Sequence, residues 1–247
     1  MQTQQSTRPI LLIAGHWLGA WAWDEVAEHL STVSRPALAL TLPGLDPDDP
    51  DRRSRTLDDQ ADAIVVALRQ AGARAEWPAI LVGHSGANGP ISLVADRHPE
   101  LIGRLIWVDS GPLAPGSGFA PDAPDQLTEL PLPSFEELRQ QASLDGLSPA
   151  ALDRFRLRAV PEPGPVLRQR VELGNDVRRA IPTTVVCCSI SGARVMELAA
   201  AGHPMFAEVA MLQQVDVIEL PTGHWPMWSR PAELAEIIVA AADRTPR

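Results

Sequence analysis

The chain has 247 residues, a formal net charge of -10 and a hydrophobic share of 45%. This length suits one globular α/β domain with an insertion, and no apolar run reaches the roughly 18 to 20 residues of a membrane span. An acidic chain without clustered cations argues against a nucleic-acid partner, and the absence of lysine excludes Schiff-base and P-loop chemistry.

The polar start of the chain, residues 1–8, lacks the apolar stretch of a secretory signal. A cytoplasmic location is therefore the expectation, without membrane association. Cys187 and Cys188 are neighbours in an apolar run, where their side chains should point to opposite faces of a strand. This arrangement does not indicate a disulfide framework.

Six apolar runs predict the strands of one sheet. Most are continuous rather than alternating, which is typical of parallel strands covered on both faces. In chain order the predicted strands are residues 10–14, 37–42, 79–82, 105–108, 184–190 and 215–220.

Helical patterns lie between these strands. Residues 21–30, 87–96 and 231–242 are predicted helices, and Thr56 with Asp59 begins another that suits an end at Gly72. Because strand and helix alternate, we predict an α/β fold with a mostly parallel sheet of about six strands flanked by helices.

Residues 111–181 depart from this alternation. They are rich in proline and contain two short helix starts, Ser134 with Glu137 and Ser148 followed by Pro149. We interpret this segment as a helical cap inserted over the sheet, between core parts formed by residues 1–110 and 182–247.

The motif Gly83-His84-Ser85-Gly86-Ala87 follows a predicted strand directly and precedes a predicted helix. Strand, tight turn and helix form the context of a nucleophile elbow, which raises the serine hydroxyl above the sheet. Small residues on either side leave room for this strained turn. We therefore predict Ser85 as a nucleophile and the amide of Gly86 as an oxyanion donor.

A serine hydroxyl needs a base that takes its proton during attack. His224 follows the strand 215–220 and lies in a loop at the carboxyl edge of the sheet, where the elbow also lies. His16 and His84 are rivals by sequence proximity, but His84 is the spacer of the elbow and should point away from the substrate. The other histidines, His29, His98 and His203, are predicted in helices or at the surface.

The acid that orients the base is less evident. In folds of this kind it usually follows the strand before the base-bearing strand, but residues 189–194 contain no carboxylate. Glu197 is the nearest candidate downstream and is predicted to lie within a helix. Asp109 is preferred because it ends the strand 105–108 at the same edge and keeps the chain order serine, acid, base. A loop-capping aspartate is the alternative interpretation of Asp109.

The turn after the first strand supplies the second oxyanion donor. We assign the backbone amide of His16 to this role, with Trp17 lining the pocket. Trp225, next to the predicted base, is a second substrate-binding residue, and Trp228 lies in the same loop region. Together these tryptophans predict an apolar, aromatic-walled pocket.

These motifs resemble the α/β-hydrolase superfamily. The tryptophan spacing of Gly15, Trp17, Gly19, Trp21 and Trp23 resembles the small plant-type methylesterase and hydroxynitrile-lyase branch. The resemblance covers most of the chain outside residues 111–181 and implies serine chemistry, while its motifs say little about the substrate.

Three departures from the family pattern have consequences. Ala14 replaces the histidine that commonly precedes Gly15, so the bonds that brace the turn must come from elsewhere. The usual acid position is empty. Trp225 stands where cyanide-releasing relatives carry lysine, which disfavours hydroxynitrile lyase activity, and a serine at position 85 disfavours the dehalogenase and epoxide-hydrolase branches.

The sequence thus predicts a serine hydrolase that cleaves a carboxylic ester or lactone of a hydrophobic small molecule through an acyl-enzyme, without metal or organic cofactor. Two alternatives stay open: a ligand-binding relative with little turnover, and a non-hydrolytic cyclase or lyase. The expected partner is a small-molecule substrate. The oligomeric state is left open, with a homodimer among the options.

Overall fold

The computed structural model describes residues 7–244. Residues 1–6, on which most of the expectation about a secretory signal rests, lie outside the described residues. Within the described part, strands of the main sheet are β1 (Ile10–Ile13), β2 (Ala37–Leu40), β3 (Ala79–His84), β4 (Ile102–Val108), β7 (Thr183–Cys187) and β8 (Val215–Glu219). A separate antiparallel pair consists of β5 (Glu129–Leu130) and β6 (Glu162–Pro163).

The main sheet has the order β2-β1-β3-β4-β7-β8, and every neighbouring pair is parallel. The predicted parallel sheet of six strands is therefore confirmed. Helices accompany it: α1 (Asp24–Thr32), α2 (Leu57–Gln70), α3 (Asn88–Arg97), α4 (Phe135–Leu138), α5 (Pro149–Arg158), α6 (Gly164–Arg168), α7 (Gly192–Ala200), α8 (Pro226–Ser229) and α9 (Pro231–Asp243).

Both faces of the sheet are covered by helices. Leu11 and Ile13 of β1 belong to an apolar cluster that includes α2 and α3, whereas Ile10 and Leu12 belong to a second cluster that includes α1 and α9. Successive strand residues alternate between the two faces. Continuous apolar runs are the consequence, since each face needs its own buried side chains.

Each of the six strands differs from its predicted bounds by one or more residues, and for two of them the hydrogen bonds show why. β4 begins three residues earlier than predicted because Arg104, a charge within the apolar run, is buried and donates to Thr184 and Asp216. β7 ends at Cys187 rather than at residue 190. The next two backbone amides, those of Cys188 and Ser189, donate to the Asp109 carboxylate instead of to the carbonyls of a neighbouring strand.

The segment 111–181 runs from the end of β4 to the start of β7. The predicted capping box of Ser134 and Glu137 is present, and Ser148 caps α5. Arg52 of the core donates to Glu129 of β5 across 2.5 Å. The division into core and cap stays a prediction. None of the helices within residues 7–244 has the length and apolarity that a membrane crossing requires.

Candidate active site

Ser85 stands at the turn between β3 and α3, where the sequence places the elbow. Its φ of 51° lies in the left-handed region, a conformation that costs a non-glycine residue about 1 to 3 kcal/mol. The turn is tightly packed, since a β-carbon on Gly83 would lie 2.4 Å from Ile91 and Ala87 is buried. The backbone is thus held so that the hydroxyl projects from the sheet edge.

A continuous hydrogen-bond chain joins Ser85, His224 and Asp109. His224 Nε2 lies 2.7 Å from Ser85 Oγ, and His224 Nδ1 lies 2.6 Å from Asp109 Oδ2. Because a carboxylate only accepts, Nδ1 carries the proton and Nε2 accepts from the serine hydroxyl. The three side chains chosen from the sequence therefore come together in the order that proton transfer requires.

Asp109 is held by more than the imidazole. Its φ is 46°, and its Oδ1 accepts from the amides of Cys188 and Ser189 at 3.0 and 2.9 Å. The Ser189 hydroxyl donates to Oδ2 at 2.5 Å. Since β4 and β7 are neighbours, the turn with the empty acid position lies beside Asp109 and supplies its donors.

Two opposing effects act on the pKa of Asp109. Burial alone would raise it, but the hydrogen bond and charge of His224 and the donors of Ser189 lower it more, so that the pKa lies below its ordinary value. The carboxylate is thereby kept ionised opposite the imidazole. Glu197, the rival acid, lies in α7 with a mostly exposed side chain and pairs with Arg194 at 2.7 Å.

His84 is fully buried and lies close to the other imidazole. Its Nε2 donates to the backbone carbonyl of His224 at 2.7 Å. Burial, and next the neighbouring His224, lower the pKa of His84 to about 3. His84 is consequently a neutral donor that supports the loop carrying His224.

The turn after β1 closely approaches the elbow. A β-carbon on Gly15 would lie 2.7 Å from Ser85 Cβ and 3.0 Å from the Gly86 amide nitrogen, so only glycine allows this approach. His16 and Gly86, whose amides are the predicted donors, both line the cavity above Ser85. The His16 ring packs against Gly86, where a β-carbon would lie 2.3 Å from Nε2.

Trp17 is attached to the segment 111–181 through its three polar groups. Its amide donates to Glu162 Oε2 at 3.2 Å, its indole Nε1 donates to the Leu130 carbonyl at 3.0 Å, and its carbonyl accepts from the Val160 amide at 3.0 Å. The backbone of Trp17 is left-handed, with φ 66°. Contacts from distant parts of the chain therefore hold this residue in a strained conformation.

A cavity of about 320 Å³ opens above Ser85. Trp17 and Trp225 line it as predicted, and Trp225 meets the His224 ring edge-on at 4.9 Å between centroids. Phe119 and Leu138 of the segment 111–181 and Phe206, beyond α7, add apolar wall. The volume is at the lower end for small-molecule sites. Trp228 instead stacks on Trp21.

Sequence reasoning missed the apolar wall residues Phe119, Leu138 and Phe206, and it missed two polar residues that hold the site, Ser189 and Glu162. Ser189 has no motif of its own, although its place after β7 was a signal, because that turn usually carries the acid. Glu162 lies in a proline-rich stretch, and the only hint was Ala14, which left the turn after β1 without its usual brace.

Among residues 7–244, no group of three His, Cys, Asp or Glu side chains could hold a metal ion.

Comparison with known proteins assigns the family. The model of the alpha/beta hydrolase family matches residues 10–237, and the chain belongs to this family. A pyrethroid hydrolase from Sphingobium wenxiniae is 28% identical over 185 residues. That match covers 69% of this chain and 66% of the relative, slightly less than two thirds of the relative's length.

Solved structures agree on the fold. An extracellular α/β-hydrolase from a Paenibacillus species, described as sharing structural and functional homology with tobacco salicylic acid binding protein 2, has a TM-score of 0.74 at 22% identity, over 95% of this chain and 98% of that chain. The methylesterase MES16 from Arabidopsis has a TM-score of 0.68 at 17% identity, over 96% and 99%. The predicted resemblance to the methylesterase-like branch is confirmed at the level of the fold.

Proposed function

We propose that this protein is a serine esterase that cleaves a carboxylic ester or lactone of a hydrophobic small molecule. One observation carries the proposal: Ser85, His224 and Asp109 form an unbroken hydrogen-bond chain, with steps of 2.7 and 2.6 Å, at the base of a cavity. This is the geometry of an activated serine nucleophile.

In the proposed reaction, Ser85 Oγ attacks the carbonyl carbon while His224 Nε2 takes the hydroxyl proton. Asp109 holds the imidazole in the required tautomer and stabilises its cation. The amides of His16 and Gly86 bind the oxyanion of the tetrahedral intermediate. His224 then returns the proton to the leaving alcohol, and water, activated by the same imidazole, releases the acid from the acyl-enzyme.

The cavity supports a small, apolar substrate. Its walls carry Trp17, Trp225, Phe119 and Phe206, and apolar residues outnumber polar ones along the rest of the lining. Burial of an aromatic or branched acyl group against them contributes roughly 25 cal/mol per Å². The names of the pyrethroid hydrolase and the methylesterase agree with ester cleavage, without naming a substrate for this chain.

A fluorophosphonate probe tests the proposal directly. We expect the wild-type protein to be labelled at Ser85, with Ser85→Ala unlabelled, and to hydrolyse at least one member of a panel of aryl, alkyl and lactone esters. A wild type that neither reacts with the probe nor hydrolyses any ester would overturn the proposal and favour a ligand-binding relative.

A further inference from the structure

Glu162 is a buried carboxylate outside the relay. It lies in β6, is 1% exposed, and one of its oxygens, Oε2, serves two neighbours. This oxygen accepts from the Trp17 amide at 3.2 Å and lies 3.1 Å from His16 Nδ1. Burying a carboxylate is costly unless polar partners compensate, and here both partners belong to the turn after β1.

These contacts reach the proposed oxyanion donors from two sides. Trp17 directly follows His16, so its amide fixes the orientation of the peptide next to the His16 donor. The His16 ring is wedged between Gly86, where a β-carbon would lie 2.3 Å away, and the Phe119 ring at 4.2 Å between centroids. A shift of the His16 ring would therefore change the packing against Gly86, the second proposed donor.

The contacts of Glu162 hold the turn after β1 from outside the turn. Ala14, which precedes Gly15, has no polar side chain, and the Trp17 amide donates to Glu162. Trp17 has a left-handed φ of 66°, which a tryptophan adopts only when its surroundings enforce it. The enforcing hydrogen bonds come from residues as far as 113 and 145 positions away in sequence, Leu130 and Glu162.

We propose that Glu162 is a positioning residue for the oxyanion hole, acting through Trp17 and His16 to hold the amides of His16 and Gly86. This inference rests on the proposed esterase function. The oxyanion develops only in the tetrahedral states of acylation and deacylation, so the effect of Glu162 falls on kcat rather than on KM.

Three substitutions test it. In Glu162→Gln an amide oxygen can still accept from Trp17 and face His16, so kcat stays within about tenfold of wild type. In Glu162→Leu the acceptor is lost, and kcat falls on the order of 10²-fold with KM within about threefold. Glu162→Asp withdraws the oxygen by one methylene while keeping the polarity, and its kcat falls at least tenfold.

Glu129 offers a matched control. It lies on β5, the partner strand of β6, and its carboxylate accepts from Arg52 and Arg53 rather than from the turn after β1. Glu129→Leu should therefore lower stability and leave the kcat of the folded enzyme within about twofold. The folded fraction of each variant is measured by thermal unfolding, and active sites are counted with a fluorophosphonate.

The outcomes separate the two proposals. Wild-type kcat in both Glu162→Asp and Glu162→Leu, or equal losses in the Gln, Asp and Leu variants, would overturn the role of Glu162 while leaving the esterase intact. If Glu162→Leu does not fold, the Asp and Gln pair decides alone. An inactive wild type with an unlabelled Ser85 would instead remove the esterase function itself.

Discussion

His84 Nε2 donates a hydrogen bond to the backbone carbonyl of His224 across 2.7 Å. The residue before Ser85 thus supports the loop that carries His224, the proposed base. Burial lowers the pKa of His84 to about 3, so the imidazole that makes this bond stays neutral in the folded protein. Its protonation in acid would therefore affect both the stability of the fold and the position of the His224 loop.

The first prediction concerns the dependence of stability on pH. Between pH 6.5 and 3 the unfolded chain binds a proton at His84 and the folded chain does not, so stability falls as the pH is lowered, by up to about 1.4 kcal/mol per pH unit. His84→Gln retains a donor for the His224 carbonyl but does not titrate. Urea unfolding should show wild type losing about 1.6 kcal/mol more than the variant between pH 6.5 and 5. Parallel losses in the two proteins would contradict the assignment.

The second prediction ranks the carboxylates. Asp109→Asn keeps the shape of the site but lets the imidazole adopt the wrong tautomer, so kcat should fall by about 10⁴-fold with little change in unfolding temperature. Glu197→Gln, at an exposed site in α7, should leave kcat within about twofold, since surface changes are usually neutral. Steady-state kinetics on one aryl ester decide the ranking, and the reverse order would remove Asp109 from the relay.

The third prediction concerns the contact between the turn after β1 and the elbow. In Gly15→Ala the new β-carbon meets Ser85 Cβ at 2.7 Å and the His84 carbonyl at 2.9 Å. Overpacking of this kind costs about 1 to 3 kcal/mol of unfolding free energy, and kcat should fall as the turn moves. Gly174→Ala is the control, because its β-carbon meets nothing within 4 Å. Equal behaviour of the two alanine variants in denaturation and kinetics would refute the close approach.

The fourth prediction concerns the two buried thiols. Burial raises the pKa of Cys187 to about 12 and that of Cys188 further, so at pH 8 only about one Cys187 thiol in ten thousand is a thiolate. Iodoacetamide should modify neither residue in the folded protein, and both after unfolding, as read by mass spectrometry. Modification of either thiol in the folded protein would contradict this prediction.

Much of the fold could be predicted from the sequence because local signals agree with the tertiary structure. The apolar runs are continuous since both faces of each strand are covered, and Thr56 with Asp59 forms the expected capping box at the start of α2. Ser85, His224 and Asp109 could be chosen because each follows a strand at one edge of a parallel sheet. Their proximity is then a property of the topology rather than of any side-chain detail.

Other parts depend on contacts that leave no local pattern. Arg104 interrupts the apolar run of β4, and only its bonds to β7 and β8 explain why the strand continues through it. Glu162 resembles any acidic residue in a proline-rich stretch until the fold brings it beside Trp17. His16 was predicted for its amide alone, since nothing in the sequence shows that its ring packs on Gly86.

The attachment of Trp17 to Leu130, Val160 and Glu162 also limits how this protein can be re-engineered. Grafting the segment 111–181 from a relative to change selectivity would exchange the pocket wall and, at the same time, remove the acceptors and donor on which Trp17 depends. A transplanted segment would need a carboxylate in register with position 162, or a histidine restored at position 14. In this chain the pocket wall and the proposed oxyanion hole therefore cannot be changed independently of each other.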